Sequence, residues 1–278
     1  MALERDTRGI LEPHAGLARF TLERRSPSPA LADWVERHWI VRWDLPDGET
    51  FMQAILPHPC VNLVSEPGLI AVHGIPTARW QRTLSGSGTA IGTKFRPGGF
   101  AGFFGAPASE LNDRVVSLPD LFGEPGTRLD FALAACDGDV EAHIAAVEGF
   151  LCERRPEPDP RYELVRAVVA DMLHPPARAT VAGLARRHGV SPRTLQRAFR
   201  DYVGVGPKWV LRRYRIHVAA ERIAAGDADD LAALAWELGF FDQAHFTRDF
   251  TAQIGRSPLA YARACAAAAR RPLPVQPA

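Results

Sequence analysis

The stretch LAWELGFFDQAHFTRDF, Leu234–Phe250, decides the fold of this chain because an earlier segment repeats its pattern. The segment LARRHGVSPRTLQRAF, Leu184–Phe199, has the same Leu-Ala pair, a glycine five residues after the leucine and a closing phenylalanine. In both copies a second glycine follows that phenylalanine by five residues, and a proline follows it by eight. A match of this length indicates a duplicated structural unit.

Each copy predicts two helices joined by a tight turn. Gly189 and Gly239 take the bend, because glycine adopts the backbone conformation of a sharp turn at little cost. The second helix buries an i, i+4 pair, Leu195 with Phe199 in the first copy and two phenylalanines in the second, and leaves a polar face. Arg and Gln on such a face pair with guanine and adenine edges in the major groove of double-stranded DNA. The candidate base-contacting residues are Arg193, Thr194, Gln196, Arg197, Gln243, Thr247 and Arg248.

The gap between the copies matches the geometry of DNA. A predicted helix at 207–225 spans roughly 28 Å at 1.5 Å per residue. Successive major-groove faces lie about 34 Å apart, so a rigid helix of this length lets one chain enter two grooves on the same side of the duplex. Basic side chains along and beside this helix are suited to binding the backbone phosphates of the DNA between the two grooves. The candidate phosphate-contacting residues are Arg200, Lys208, Arg212, Arg213, Arg215 and His245.

The charge is distributed unevenly along the 278 residues. Residues 1–160 carry 15 Lys and Arg against 22 Asp and Glu, whereas residues 161–278 carry 18 against 10. A basic half joined to an acidic half indicates that one domain meets a polyanion. Charge alone fits a solvated surface equally well.

Composition along the chain predicts two domains. Residues 46–126 hold 21 of the 46 glycines and prolines, with short apolar runs between them, which is typical of β-hairpins. Beyond the proline-punctuated RPEPDPR the pattern is helical throughout. The expected fold is α+β: a β-rich regulatory domain at 1–125, a helical linker at 126–158, and an all-α domain of seven helices at 159–278. The two helix-turn-helix motifs are expected at about 180–202 and 229–252.

Other features of the sequence bear on the cellular location of the protein and on whether it contains disulfides or a zinc site. No apolar run reaches about 18 residues and the N-terminus has no apolar signal segment, so a cytoplasmic chain with no membrane partner is expected. The four cysteines are scattered and include no C-x-x-C pair, which argues against a disulfide framework or a structural zinc site.

The segment ALAWELGFFDQAHFTRDFTAQIGRSPLAYAR resembles the signature of the AraC/XylS family of bacterial transcriptional regulators. The resemblance covers about residues 162–265 and implies seven helices, two helix-turn-helix subdomains and a long helix between them. By position it also implies base contacts for Arg193, Gln196 and Arg197 on the second helix of the first copy and for Gln243, Thr247 and Arg248 on that of the second copy. The chain departs from the family at Ala244, where a polar residue is common, and at Ala262, which separates Tyr261 from Arg263.

The N-terminal half contains RWDLPDGETFMQAILPHPCVNLV and GTKFRPGGFAGFFGAPASELNDRVV, which resemble an uncharacterised domain found on some AraC-type regulators. Family members commonly carry a cupin-like barrel here that senses a signal or dimerises. The resemblance therefore implies a cupin-like barrel or sandwich, a small-molecule effector, a homodimer through the 126–158 segment, and RNA polymerase as a partner if the chain activates transcription.

Three groups of N-terminal residues are candidates for ligand contacts. A basic pair beside two glycines predicts an anion site formed by Lys94, Arg96, Gly98 and Gly99. The two glycines are equally well explained by a corner between β-hairpin strands. His58, Cys60 and His73 are possible metal ligands. The sequence has no His-x-His followed by Glu, which a cupin metal site needs, so packing roles are favoured for these residues and no metal or cofactor is expected. Several aromatic residues belong either to the core or to a ligand cavity; these are Trp34, Trp39, Trp43, Phe51 and Trp80.

Two alternatives to a ligand-controlled regulator stay open. One is a metal-dependent cupin-type enzyme fused to a DNA-binding module, against which the missing His-x-His argues. The other is an architectural DNA-bending protein that has no sensor. The sequence favours a regulator without enzymatic activity.

Overall fold

The computed structural model describes residues 7–173, 179–228 and 230–270. Its N-terminal half is rich in strands, as the hairpin-like composition predicts. The strands are β1 (Phe20–Arg25), β2 (Val35–Asp44), β3 (Thr50–Ile55), β4 (Asn62–Glu66), β5 (Leu69–His73), β6 (Trp80–Ser85), β7 (Ser87–Phe95) and β8 (Val115–Ser117). The helices of this half are α1 (Pro13–Leu17), α2 (Ala101–Phe104), α3 (Leu118–Phe122), α4 (Glu124–Ala134) and α5 (Val140–Glu153).

The strands form two antiparallel sheets. The larger has the order β1-β2-β7-β4-β5-β8, and the smaller pairs β3 with β6. Alternation along β2 gives the large sheet two different faces. His38 lies on the face covered by α5, where its ring contacts Glu148 at 3.0 Å and Thr93 at 2.9 Å. Trp39 and Trp43 lie on the opposite face, which closes a cavity against the small sheet.

The helical segment at 126–158 packs on the large sheet. Five of its apolar side chains are at most 8% exposed in one core with strand residues: Leu129, Leu133, Val147, Phe150 and Leu151. These five side chains are already buried within the chain and so are not available for a dimer contact. Phe131 is the exception and is 71% exposed. A role of the rest of the segment in dimerisation stays a prediction. The domain boundaries at 125 and 158 stay predictions.

The C-terminal half is helical, and seven helices lie between residues 160 and 269 within the described ranges, as predicted. They are α6 (Pro160–Leu173), α7 (Val181–Arg187), α8 (Pro192–Tyr202), α9 (Pro207–Ala225), α10 (Leu231–Glu237), α11 (Gln243–Ile254) and α12 (Pro258–Ala269). Residue 229, where the second helix-turn-helix motif is expected to begin, lies outside the described residues.

Local signals explain where the two second helices begin. Ser191 caps α8 by accepting from the Thr194 N–H at 3.0 Å, with proline at the first helical position. Asp242 caps α11 by accepting from the His245 N–H at 2.6 Å. The turns before these caps contain Gly189 and Gly239, at φ 66° and 74°, a conformation that disfavours side chains.

The long helix α9 belongs to both helix-turn-helix cores. Val210 and Tyr214 in its first half are buried with Leu195 and Phe199 of α8. Ile216, Ala219, Ala220 and Ile223 in its second half are buried with side chains of α10 and α11. Because one rigid element supplies both cores, the two motifs keep a defined relative position.

The same helix also contacts the N-terminal half through two of its side chains. Arg213 is 2% exposed and donates to the carbonyls of Pro57 and Thr77, each at 3.2 Å. His217 stacks on His58 with ring centroids 4.2 Å apart. Burial lowers the pKa of His217 to about 3, and the charge of Arg213 adds to this effect. Burial, with Lys94 nearby, also holds the pKa of His58 well below its usual value. Both rings are therefore neutral at pH 7.

This histidine pair predicts acid sensitivity of the folded state. Both histidines bind a proton near pH 6.5 when unfolded but resist it when folded, so their contribution to stability is present above pH 6.5 and is lost as the pH falls below it. The loss at His217 should lower the free energy of unfolding by about 2 kcal/mol between pH 7 and pH 5, and the loss at His58 has the same sign. Urea unfolding across that range measures the slope. His217→Gln should reduce it, whereas His14→Gln, at an exposed position, should not. Superimposable slopes for the wild type and His217→Gln would contradict this prediction.

Candidate nucleic-acid interface

The exposed face of α8 gathers the predicted base-contacting residues of the first motif. Leu195, Ala198 and Phe199 are at most 3% exposed and hold the opposite face in the core. The predicted side chains are all exposed, and they line an open groove of about 800 Å³ together with Lys208. These side chains are the predicted base contacts Arg193, Thr194, Gln196 and Arg197 and the predicted phosphate contact Arg200. Thr194 also contacts Ser191 through its hydroxyl at 2.8 Å, which orients it toward its own cap.

The exposed face of α11 is less polar. Phe246, Phe250 and Ile254 are buried, as the predicted stripe requires. Gln243 and Arg248 are exposed, and Thr247 is half-buried. Ala244 is also exposed and offers no hydrogen-bonding group. The second helix therefore presents fewer groups that could contact a base than α8 does.

Arg215 joins the two motifs instead of facing outward. Its guanidinium donates to the carbonyl of Ala179, just before α7, at 2.8 Å and to that of Gly239, in the second turn, at 3.3 Å. Burial lowers its pKa. Both terminal nitrogens of the guanidinium are already bound to backbone, so Arg215 serves to join the motifs, and its contact with phosphate stays a prediction. Its structural role was missed because basic residues on one helix look alike in the sequence.

Arg213 is buried between the two halves of the chain, so it is not available to phosphate. Its guanidinium lies over the Trp209 ring, 4.3 Å from the centroid, as a cation–π pair. Arg212 is half-exposed, but its Nε and Nη2 donate to the two oxygens of the buried Asp249 carboxylate. His245 lies 3.4 Å from the same carboxylate. These two side chains are therefore held in place by Asp249, and their contact with DNA stays a prediction.

Several cations on this surface have no anionic partner. Arg193, Arg197, Arg200 and Lys208 are exposed, and none forms an ion pair with any residue in the described part of the chain. Their charge is available to an external polyanion. They border one groove, at the meeting point of α8 and the first turn of α9.

The structure does not bring the predicted anion-site residues of the 94–99 corner together around one shared cradle. Lys94 pairs with Glu36 at 2.9 Å, and Arg96 donates to the Ala32 carbonyl at 2.7 Å. A Cβ at Gly99 would come within 2.3 Å of the Trp34 carbonyl oxygen, and one at Gly98 within 3.2 Å of Val165. These glycines therefore allow close backbone approach and packing against α6, and they do not form an anion cradle.

A cavity of about 260 Å³ lies between the two sheets. Trp39, Trp43 and Trp80 line it, whereas Trp34 and Phe51 pack against core clusters. His58, Cys60 and His73, the possible metal ligands, also line the cavity. Among the described residues, no group of three His, Cys, Asp or Glu side chains is placed to hold a metal ion.

Two family models match the chain. A helix-turn-helix domain matches residues 184–264, and a domain of unknown function, DUF6597, matches residues 23–117. In the described part of the chain, no helix is both long and apolar enough to cross a membrane.

The chain is also similar to named proteins. A putative AraC-like transcription regulator of Streptomyces lividans is 29% identical over 244 residues, which cover 77% of this chain and 78% of the relative. Another, of Streptomyces antibioticus, is 37% identical over 79 residues, covering 28% of this chain and 26% of the relative. Among solved structures, the DNA-binding domain of AdpA in complex with a target DNA is 30% identical and has a TM-score of 0.34, with 41% of this chain and 98% of that chain covered.

The Arg215 contacts predict a stability effect. Arg215→Met removes both hydrogen bonds and leaves two carbonyls without a donor, which should lower the free energy of unfolding by about 1–3 kcal/mol. Urea denaturation followed by circular dichroism measures this loss. Arg263→Met, at an exposed position, is the matched control and should change little. Equal stability of the two variants would show that Arg215 does not hold the motifs together.

Proposed function

We infer that this chain, which belongs to the AraC-type DNA-binding transcriptional regulators, contacts two successive major grooves of its target with α8 and α11. In this proposal α8 supplies most of the sequence discrimination. The β-rich half controls the DNA-binding half in response to a small-molecule signal. The protein acts in the cytoplasm and without enzymatic activity of its own.

One observation carries this proposal: the exposed cations of α8 lie on the face opposite its buried stripe. Arg193 and Arg197 are four residues apart, so they share a helix face, and Gln196 lies beside them. Arginine and glutamine on one exposed helix can pair bidentately with guanine and adenine edges. If this surface met only solvent, nothing would favour leaving these cations without ion pairs. The neighbouring arginines on α9, by contrast, are bound to a carboxylate or to backbone carbonyls.

Phosphate contacts would position this helix in the groove. Lys208 is the second residue of α9, and Arg200 lies near the end of α8, at the rim of the same groove. Phosphate contacts fix the register of a protein on the duplex but carry no sequence information directly. Lys208 and Arg200 therefore serve affinity, while Arg193, Gln196 and Arg197 serve specificity.

The second motif would contribute less to sequence discrimination. Gln243 and Arg248 stand at opposite ends of a helix face that contains Ala244 and the partly covered Thr247. The Arg215 and α9 contacts hold this motif at a set distance from the first. It would then act chiefly by restricting which duplex positions the first motif can occupy.

No observation favours the metal-dependent enzyme over a regulator. A measurement of the metal content of purified protein tests this alternative, and stoichiometric iron, manganese or zinc would revive it. A homodimer and contact with RNA polymerase stay predictions of the family resemblance. Sequence-indifferent binding to DNA would instead favour the architectural alternative.

Arg197→Ala tests base contact by α8. On a duplex selected by the wild type from a random-sequence pool, the variant should lose about 1–3 kcal/mol of binding free energy and show relaxed preference at one position. Fluorescence anisotropy at fixed salt measures both. Arg263→Ala is the control. An equal loss on scrambled duplexes would contradict base contact.

Lys208→Ala tests phosphate contact. Because one phosphate contact releases about one counterion, the variant should weaken binding to selected and scrambled duplexes alike, and should reduce the slope of log K against log salt by about one. A salt titration of both duplexes gives the slope. An unchanged slope would place Lys208 away from the DNA.

A further inference from the structure

The two second helices differ at the positions where each would meet DNA. The buried stripes of α8 and α11 align, so the exposed positions of the two helices correspond one to one. At three of these positions an Arg or Gln of α8 is replaced in α11 by a residue with a smaller side chain. The replacements are Ala244 for Arg193, Thr247 for Gln196 and Thr251 for Arg200. The second helix therefore has methyl groups where the first has long polar side chains.

The second motif also has less free positive charge than the first. A proline begins the helix that follows each motif, and the next residue is Lys208 after the first motif but Leu259 after the second. Leu259 is 53% exposed. Arg212 and His245 beside the second motif are held by the carboxylate of Asp249. Apolar side chains thus stand where the first motif offers cations to phosphates.

The most exposed large apolar side chain in the described ranges, Phe241, lies directly before α11. The turn of the second motif, between Gly239 and Asp242, is one residue longer than the turn of the first. Phe240 in this turn is buried against the stripe of α11, whereas Phe241 is 87% exposed. A ring left in water forgoes the free energy of burial, which a partner that covers it would recover.

The position of Phe241 favours DNA as this partner. In a helix-turn-helix protein, residues at the N-terminal end of the second helix contact base edges in the major groove. Phe241 directly precedes Asp242, which caps α11, and Ala244 is exposed in the first turn of that helix. Both side chains therefore lie at the end of α11 that would enter the groove.

The chemistry of these side chains indicates which base they would contact. In the major groove, the C5-methyl group of thymine is the group that apolar side chains contact, typically those of alanine, threonine and phenylalanine. Ala244, Thr247 and Phe241 are residues of these three types. A methyl group is uncharged, so its recognition does not need the cations that the second motif lacks.

We propose that the second motif recognises thymine in its target through contact of Phe241 and Ala244 with C5-methyl groups, about one helical turn of duplex from the bases contacted by α8. This inference rests on the proposed function. It makes Phe241, a residue of the turn, a determinant of sequence specificity. It also gives the second motif a base preference that does not depend on hydrogen bonds.

Uracil substitution tests the methyl contact, because it removes the C5-methyl group and leaves every hydrogen-bonding group of the base in place. Each thymine of the duplex selected by the full chain is replaced in turn, and affinity is measured by fluorescence anisotropy. At least one substitution, about 10 base pairs from the position at which Arg197→Ala relaxes preference, should weaken binding at least threefold. Absence of any uracil-sensitive thymine in that half-site would overturn the proposal.

Phe241→Ala tests which residue makes the contact. The variant should bind the selected duplex at least fivefold more weakly, and its uracil effect at the sensitive thymine should fall below half of the wild-type effect on a logarithmic scale. Phe131→Ala is the matched control, since it removes a phenylalanine of α4 that is 71% exposed, and it should behave as the wild type. A cooperative thermal transition shows that each variant is folded. An undiminished uracil effect in folded Phe241→Ala would overturn the role of Phe241.

Salt dependence separates this contact from a phosphate contact. Covering a methyl group releases no counterion, so Phe241→Ala should leave the slope of log K against log salt unchanged, unlike Lys208→Ala. A slope reduced by about one would place Phe241 against the phosphates and overturn the proposal.

The remaining outcomes separate this inference from the proposed function. Wild-type affinity of Phe241→Ala for every duplex would overturn the inference and leave the exposed ring to a protein partner. Sequence-selective binding with no uracil effect would overturn the inference alone. A chain that selects no duplex from the random-sequence pool would overturn the proposed function as well.

Discussion

The helix α9 makes three separate sets of contacts, and the rest of this structure depends on them. Successive turns of α9 bury Val210 and Tyr214 in the first helix-turn-helix core and Ile216 and Ile223 in the second. A helix of 19 residues is stiff on this length scale, so it fixes the spacing of the two motifs. A third side of the same helix rests on the N-terminal half through Arg213 and His217.

This arrangement explains which cations remain for DNA. The arginines on the inner sides of α9 satisfy backbone carbonyls that would otherwise be buried without donors, as Arg215 does for Ala179 and Gly239. Arg212 is neutralised by Asp249. The uncommitted charge therefore lies on α8 and the first turn of α9, and the proposed DNA surface is weighted toward the first motif.

The N-terminal half uses its two sheet faces for different purposes. One face of the large sheet packs on α4 and α5 and forms an apolar core, with His38 and Glu148 as a hydrogen-bonded pair within it. The other face supports a cavity, because glycines at 88 and 92 leave room for the tryptophan rings of β2. The domain thus combines a rigid side with a concave side, and the concave side is the one next to α9.

The sequence by itself determined the duplicated helix-turn-helix unit, the extent of the long helix between the two motifs, and the exposed polar face of α8. Each of these depends on local signals: glycine in a turn, Ser191 and Asp242 at helix starts, and apolar residues at helical spacing. The sequence did not distinguish Arg213 and Arg215 from Lys208, because all are basic residues on one helix. It also did not separate Lys94 and Arg96 from an anion site. Only the tertiary structure decided these roles, since whether a cation faces solvent, a carboxylate or a buried carbonyl depends on segments brought together from distant positions, such as Pro57 against Arg213 and Glu36 against Lys94.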